Sequence, residues 1–209
     1  MELSLTKEKM KSELPIGKSA LSVRAWTRQD LDTLAAWPKY PFPYEGFEFH
    51  FASMSSVARD EMFADRNRKP DAVPLIVDHT DKPAIGYISL MKINWAEGRV
   101  GNFGFRIHPE WMDQGIGTSV LRMVFLWCFD CGMSSVGVDV AASNARAVRC
   151  YEKVGFYPVG ALWRNAADLK GVDITESRYD FLRSHLRLDG IVPELRFFLM
   201  EITPDTANG

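Results

Sequence analysis

The stretch from Ala72 to Gly132 constrains the fold most. Three β-rich segments follow one another, "AVPLIVDH" (72–79), "AIGYISLMKI" (84–93) and "GRVGNFGFRI" (98–107), and the "TDKP" between the first two has the residues of a hairpin turn. Short connections of this kind join antiparallel neighbours, so the three read as a meander. The third strand runs into "HPEWMDQGIGTSVL" (108–121), where Gly115 and Gly117 precede an apolar, helix-forming run that ends near Cys131 with Gly132 as its stop. Upstream, "LSVRAW" (21–26) alternates as a strand and "TRQDLDTLAAW" (27–37) follows as a helix, with Thr27 as its cap and Pro38 after its end. Downstream, "SSVGVDVA" is a strand and "SNARAVRCYEKVGF" a short helix opening at Ser143 or Asn144 and ending at Gly155. "YPVGALW" and the late "PELRFFLMEI" are further strands. The order β-α-(loop or α)-β-β-β-α-β-α-β describes an α/β (α+β) chain with a mixed, mostly antiparallel central sheet flanked by helices. Residues 1–17 read as a flexible N-terminal leader, 18–203 as one domain, and 38–72 as an aromatic-rich insertion within it.

The charge balance excludes some partners. Lys plus Arg total 25 against 27 Asp plus Glu, too even a mixture to hold nucleic acid or an anionic membrane surface. No stretch approaches the roughly 20 apolar residues of a membrane span, and "MELSLTKEKMKSELPIGKSA" has no signal-peptide core, so a cytoplasmic protein is expected. Cys128 and Cys131 in "WCFDCG" have the spacing of a redox pair or of half a zinc site. The chain offers no second such pair and its histidines, His50, His79, His108 and His185, are scattered, so no metal is expected. A redox pair belongs at a helix start, where the dipole lowers the thiol pKa; this one ends an apolar run, so two core-facing cysteines are expected and a thiol redox protein is a remote rival.

Glycines before a helix have a physical use. Without a Cβ, Gly115 and Gly117 let main-chain N–H groups approach a ligand, and the first N–H groups of the helix, unpaired and at the positive end of its dipole, suit an anion such as phosphate. The bland alternative is one turn glycine and one tolerated helix glycine. Two nucleotide fingerprints fail here. A dinucleotide-binding turn needs a third glycine where Val120 stands, and a P-loop needs lysine after its second glycine, where Thr118 and Ser119 follow instead.

What remains resembles the GNAT superfamily of acetyl-CoA-dependent N-acetyltransferases. The family pattern of Arg or Gln, two residues, Gly, one residue, then Gly or Ala is matched by "MDQGIG" (112–117) except at Met112. A second element appears in full as Asn144, Ala147, Tyr151, Glu152, Lys153, Gly155 and Phe156. The likeness extends over roughly residues 21–163. Its flavour is that of the acetyltransferases of ribosomal-protein N-termini, on the strength of "LSVRAWTRQDLDTLAAWP" and of "ESRYDFLRSHL". The resemblance implies a GNAT-type sheet and acetyl-CoA as acyl donor. Main-chain groups around Gln114, Gly115, Ile116, Gly117 and Thr118 would hold the CoA pyrophosphate. The strand end from Phe105 to Ile107 would pair its backbone with the pantetheine arm. Asn144, with Ala147 in the same segment, would reach that arm while also capping its helix, and Lys153 and Arg146 would meet a CoA phosphate from solvent.

Catalysis, on the same resemblance, falls to Tyr151 as the general acid that returns a proton to the CoA thiolate. Its alternative is a Tyr packed against the sheet. Where relatives carry a carboxylate base the chain has Gly101 or Asn102, so the base must come from elsewhere. Glu48, with Glu45 and His50 as alternatives, lies in "PKYPFPYEGFEFHF" (38–51), where relatives cover the acceptor. The aromatics of this segment either line the acceptor site or a homodimer contact, or tuck under the domain as satellite core. The C-terminal "LRLDGIVPELRFFLMEI" either pairs with a partner's sheet or closes this one. The expected activity is transfer of an acetyl group to a primary amine, on a peptide N-terminus or a small molecule, by direct attack. A non-catalytic acyl-CoA-binding or sensing domain is the alternative, favoured by Met112 and the missing carboxylate.

Overall fold

A computed structural model describes residues 5–44, 51–166, 169, 173–188 and 191–207. From residue 5 on, the stretch expected to be a flexible leader carries a helix and a strand. Helix α1 (Lys7–Ser12) is capped by Thr6, whose side chain accepts from the Lys9 N–H, and β1 (Ile16–Lys18) pairs antiparallel with β2 (Leu21–Ala25). Two side chains tie α1 down. Met10 is fully buried, and the Lys7 ammonium donates to the carbonyls of Asn67 (2.9 Å) and Lys69 (2.7 Å) at the end of another helix, where the dipole favours a cation.

Helix α2 (Arg28–Ala35) begins where Thr27 predicts, with the Asp30 carboxylate accepting from the Thr27 N–H at 2.6 Å. Within the insertion, the open choice of loop or helix falls to helix: α3 (Ser56–Arg68), capped by Ser55, ends two residues before Pro70. The meander follows as β3 (Val73–His79), β4 (Lys82–Asn94) and β5 (Arg99–Ile107), all antiparallel neighbours. Then come α4 (Ile116–Asp130), β6 (Ser135–Ala141), α5 (Ala145–Val154), β7 (Tyr157–Asn165), α6 (Asp180–Arg183), β8 (Leu186–Arg187), β9 (Glu194–Ile202) and α7 (Pro204–Ala207). The strands form one sheet in the order β1-β2-β3-β4-β5-β6-β9-β7, with β8 on β9. The late strand therefore closes this chain's own sheet, lying between β6 and β7.

One parallel contact positions everything that follows. β5 and β6 pair only at Arg99 with Ser135 and at Val100 with Val136, then diverge and leave a wedge between them. The two faces of the sheet differ. α1, α4 and α5 pack one face in a core that holds Val120, Leu121, Val124, Phe125, Tyr151 and Phe156. α2 and α3 cover the other with Trp26, Leu31, Leu34, Phe51, Ile76 and Tyr87. Cys128 and Cys131 sit in the first core; burial raises both thiols, Cys131 to about 11, so neither is a ready thiolate at neutral pH. Among the described residues no helix is long and apolar enough to cross a membrane.

Candidate active site

The wedge opens into a cavity of about 500 Å³ that joins both faces of the sheet. On the α4/α5 side it is lined by the turn before α4, by Gly117 and Thr118 in its first turn, and by Asn144, Arg146, Ala147, Arg149, Cys150, Tyr151 and Lys153 of α5 and its cap. On the other side it is lined by Met91 of β4, by Asn102, Gly104 and Arg106 of β5, by Asp139 of β6 and by Phe197 of β9, and at the β5 edge by Tyr40.

The two glycines have separate local reasons. Gly115 caps α4 with φ +77°, a left-handed conformation that glycine adopts without strain, and a Cβ there would meet nothing within 4 Å. At Gly117 a Cβ would stand 3.3 Å from Cε1 of Phe105, so this glycine lets the first turn of α4 lie against β5. The first bond closing the turn runs from the Ser119 N–H to the Gly115 carbonyl at 3.1 Å, so the N–H groups of Ile116, Gly117 and Thr118 have no intrahelical acceptor. Three unpaired donors at a positive helix end fit a pyrophosphate. The Gln114 side chain turns elsewhere: its Nε2 donates to the Glu110 carbonyl at 2.7 Å and braces the turn, which leaves only its backbone for the role expected of it.

Met112 lacks charge, but a charge arrives from α5. The Arg146 guanidinium contacts the Met112 sulfur and lies over the Tyr44 ring at 4.2 Å, with no carboxylate partner among the described residues. Lys153 and Arg149 line the same wall. Asn144 is the cap expected of it, its Oδ1 accepting from the Ala147 N–H at 3.1 Å, which leaves its Nδ2 to donate into the cavity it lines.

The edge of β5 is partly taken by the chain itself. At Ile107 the N–H donates to the Tyr40 hydroxyl (3.2 Å) and the hydroxyl donates to the carbonyl (2.7 Å), so the backbone pairing expected there has no free group. The Phe105 carbonyl accepts from Arg106 Nη1 at 2.7 Å. What the edge still offers an extended arm at these two residues is the Phe105 N–H.

Tyr151 is 7% exposed, packed against Phe103 (5.4 Å between ring centroids) and Phe156 (5.6 Å), and it also borders the cavity. It is therefore packed against the sheet and faces the cavity at the same time. Burial pushes its phenol well above the usual value near 10, and no described protein group hydrogen-bonds it, so it stays protonated at any working pH. Glu48, Glu45 and His50 lie outside the described residues. A carboxylate that sequence reasoning missed does border the cavity: Asp139 accepts from Asn102 Nδ2 (3.1 Å) and is ion-paired with Arg164. Its signal was present as an acid inside the apolar run "SSVGVDVA". The aromatic segment divides its duties. Tyr40 borders the cavity, Phe51 joins the second core, and Phe42 packs edge-on against Tyr179 and Phe181.

A split mixed sheet with a helix N-terminus on one side of the wedge and a buried phenol beside it defines a CoA-dependent acyltransferase fold. The chain belongs to the acetyltransferase (GNAT) family, whose model matches residues 29–156. It is similar to the spermidine N(1)-acetyltransferase of Vibrio cholerae, 24% identical over 178 residues that cover 77% of this chain and 96% of that protein. It is also similar to a kanamycin resistance protein of Rhizobium radiobacter, 34% identical over 74 residues, 35% of this chain and 67% of that one. The crystal structure of the Vibrio cholerae spermidine N-acetyltransferase with CoA and spermine shares the fold, with a TM-score of 0.64 at 19% identity over 92% of this chain and 100% of that one. The protein is thus an acetyl-CoA-dependent N-acetyltransferase acting on an amine. None of these relatives is named for ribosomal-protein N-termini, and the finer likeness expected from "LSVRAWTRQDLDTLAAWP" finds no support in them.

Proposed function

We propose that the cavity carries out direct acetyl transfer, with the donor held from the α4/α5 side and the acceptor amine entering from the α2/α3 side. The observation that carries this reading is that one cavity connects the unpaired N–H groups of α4 to Tyr151 and continues through the wedge to the opposite face. The pyrophosphate lies on the N–H groups of Ile116, Gly117 and Thr118, and Arg146 and Lys153 meet phosphate charge. The pantetheine arm takes the Phe105 N–H and the Asn144 Nδ2. The acceptor nitrogen attacks the thioester carbonyl, the carbon–sulfur bond breaks, and Tyr151 gives its proton to the departing thiolate. Its burial keeps the acid protonated until it is needed.

The carboxylate that receives the amine's proton is Glu48 or, on the geometry of the cavity, Asp139. Asp139 has its position in its favour, bordering the wedge beside Asn102. The name of the Vibrio cholerae relative makes a polyamine one acceptor to try.

Replacing Tyr151 with Phe tests the mechanism. The Tyr151→Phe variant is expected to lose about 100-fold in kcat, within the usual contribution of general acid catalysis, while acetyl-CoA affinity stays within a factor of about two. Release of free thiol from acetyl-CoA and calorimetric binding measure the two quantities. Unchanged turnover would remove Tyr151 from the reaction. Arg146→Ala is expected to weaken acetyl-CoA binding by roughly tenfold, the size of one lost charge-assisted contact.

A further inference from the structure

The α2/α3 end of the cavity carries positive charge that no described residue neutralises. Arg106 of β5 lies directly across from Tyr87 of β4, on the face covered by α2 and α3. It borders the cavity, its Nε is buried without an acceptor, and its Nη1 donates only to the adjoining Phe105 carbonyl. A second arginine, Arg66 of α3, reaches the same region, where its Nη1 touches the sulfur of Met91 at 3.5 Å, and Met91 borders the cavity. Neither guanidinium has a carboxylate partner among the described residues. Met91 and Tyr87 of β4 pair with Asn102 and Arg106 of β5, so the Met91 that Arg66 touches lies on the same stretch of the same two strands as Arg106.

The acid on this face does not offset them. Asp139 is already ion-paired with Arg164, whose guanidinium lies over the Phe197 ring at 4.7 Å. Elsewhere on the same side the arginines are matched: Arg24 by Asp30 and Asp78, Arg28 and Arg59 by Asp32. Arg66 and Arg106, which reach the cavity, have no such partner among the described residues, and they stand where the acceptor enters. A buried guanidinium nitrogen without a protein acceptor is a place where a ligand, an ion or a water completes the pairing, and at Arg106 that place opens on the cavity. A guanidinium is the group that recognises a carboxylate in two-pronged fashion.

Resting on the acetyl-transfer reading above, we infer that the acceptor is an amine that carries a carboxylate, held by Arg106 with Arg66 while its nitrogen faces the thioester. A free amino acid and an acidic peptide N-terminus share this chemistry. An all-cationic polyamine does not, since its charges would face two unneutralised guanidinium groups.

The test is a matched panel read by thiol release from acetyl-CoA. It contains free amino acids, tripeptides with an acidic first or second residue, the carboxamide counterpart of each, and spermidine. The expected result is that a carboxylate compound exceeds its own carboxamide by at least tenfold in kcat/KM, mainly through KM, and exceeds spermidine. Free amino acids ahead of tripeptides identify a small-molecule acceptor; the reverse identifies a peptide. Arg106→Gln is expected to bring the carboxylate-to-carboxamide ratio close to one, and Arg66→Gln, on an exposed helix, to reduce it several-fold without risk to the sheet. Carboxamides or spermidine used as well as carboxylates would overturn the inference, as would a ratio that survives both substitutions. If no amine released thiol, the transfer reading would fail by itself. Calorimetry of the CoA-loaded protein with the same panel then decides the charge claim: heat from carboxylates that both variants lose supports it, and no heat from any carboxylate overturns it.

Discussion

Gly115 and Gly117 stand one residue apart and serve different ends. The sequence marked both as giving a ligand access to the backbone. Only the first needs glycine for its conformation, since φ is +77° there, whereas the second is glycine because Phe105 is close. Gly115→Ala should therefore cost about 1–2 kcal/mol of stability from the left-handed backbone alone, seen as a lower urea midpoint with an unchanged slope. The motif marked Tyr151 as the candidate acid, the role proposed for it here, but its depth was not legible, because a helix residue's burial depends on which rings pack around it. Phe103, on a strand 48 positions earlier in the chain, supplies one of those contacts. The consequence is a pH profile: with the phenol raised by burial, the alkaline loss of kcat due to this group should lie above pH 10, and a descending limb near pH 8 would contradict its assignment as the acid. Asp139 and Arg106 escaped notice for the same reason. A lone polar residue in a strand takes its meaning from the neighbour across the sheet.

At the level of elements, the end of α5 shows how tightly the site's scaffold is closed. Gly155 follows α5 with φ +113°, and a Cβ there would overlap the Thr206 carbonyl at α7. Gly155→Ala combines a strained backbone with a clash against main chain, and about 2–4 kcal/mol of destabilisation is expected, measurable by thermal or urea unfolding. Periodicity revealed the elements that alternate or repeat cleanly: β2, α2, the meander from β3 to β5, α4, β6, α5, β7 and β9. It was silent on α1 and β1, since six helical residues and three strand residues are too short for a period to emerge, and their order depends on Met10 reaching a distant core. It left α3 open because that helix buries no residue fully and has only a weak apolar stripe. The place of β9 between β6 and β7 is likewise a pairing choice made across the sheet. No local pattern encodes it.

For the whole molecule, the wedge between β5 and β6, where only two residue pairs join the strands, is the candidate site, and a core lies on either face of the sheet. Among the groups those cores bury, Tyr151, Tyr87, Cys128 and Cys131 have raised proton affinity. In the unfolded chain the thiols ionise near 9 and the phenols near 10, while in the fold they keep their protons. The unfolded state thus binds fewer protons above those values, and stability must fall as pH rises. From these groups, the melting temperature should be level below pH 9 and decline above it, which a thermal scan from pH 7 to 11 measures. The central claim is that this fold holds acetyl-CoA at the wedge. It is tested most directly by the melting temperature with and without acetyl-CoA, with NAD and ATP as controls. At about 100 times its dissociation constant a ligand adds about 2.7 kcal/mol, or roughly 5–10 °C for a chain of this size. A rise of that order with acetyl-CoA, and little with the controls, is the predicted result; no rise at millimolar acetyl-CoA, or an equal rise with all three, would contradict it.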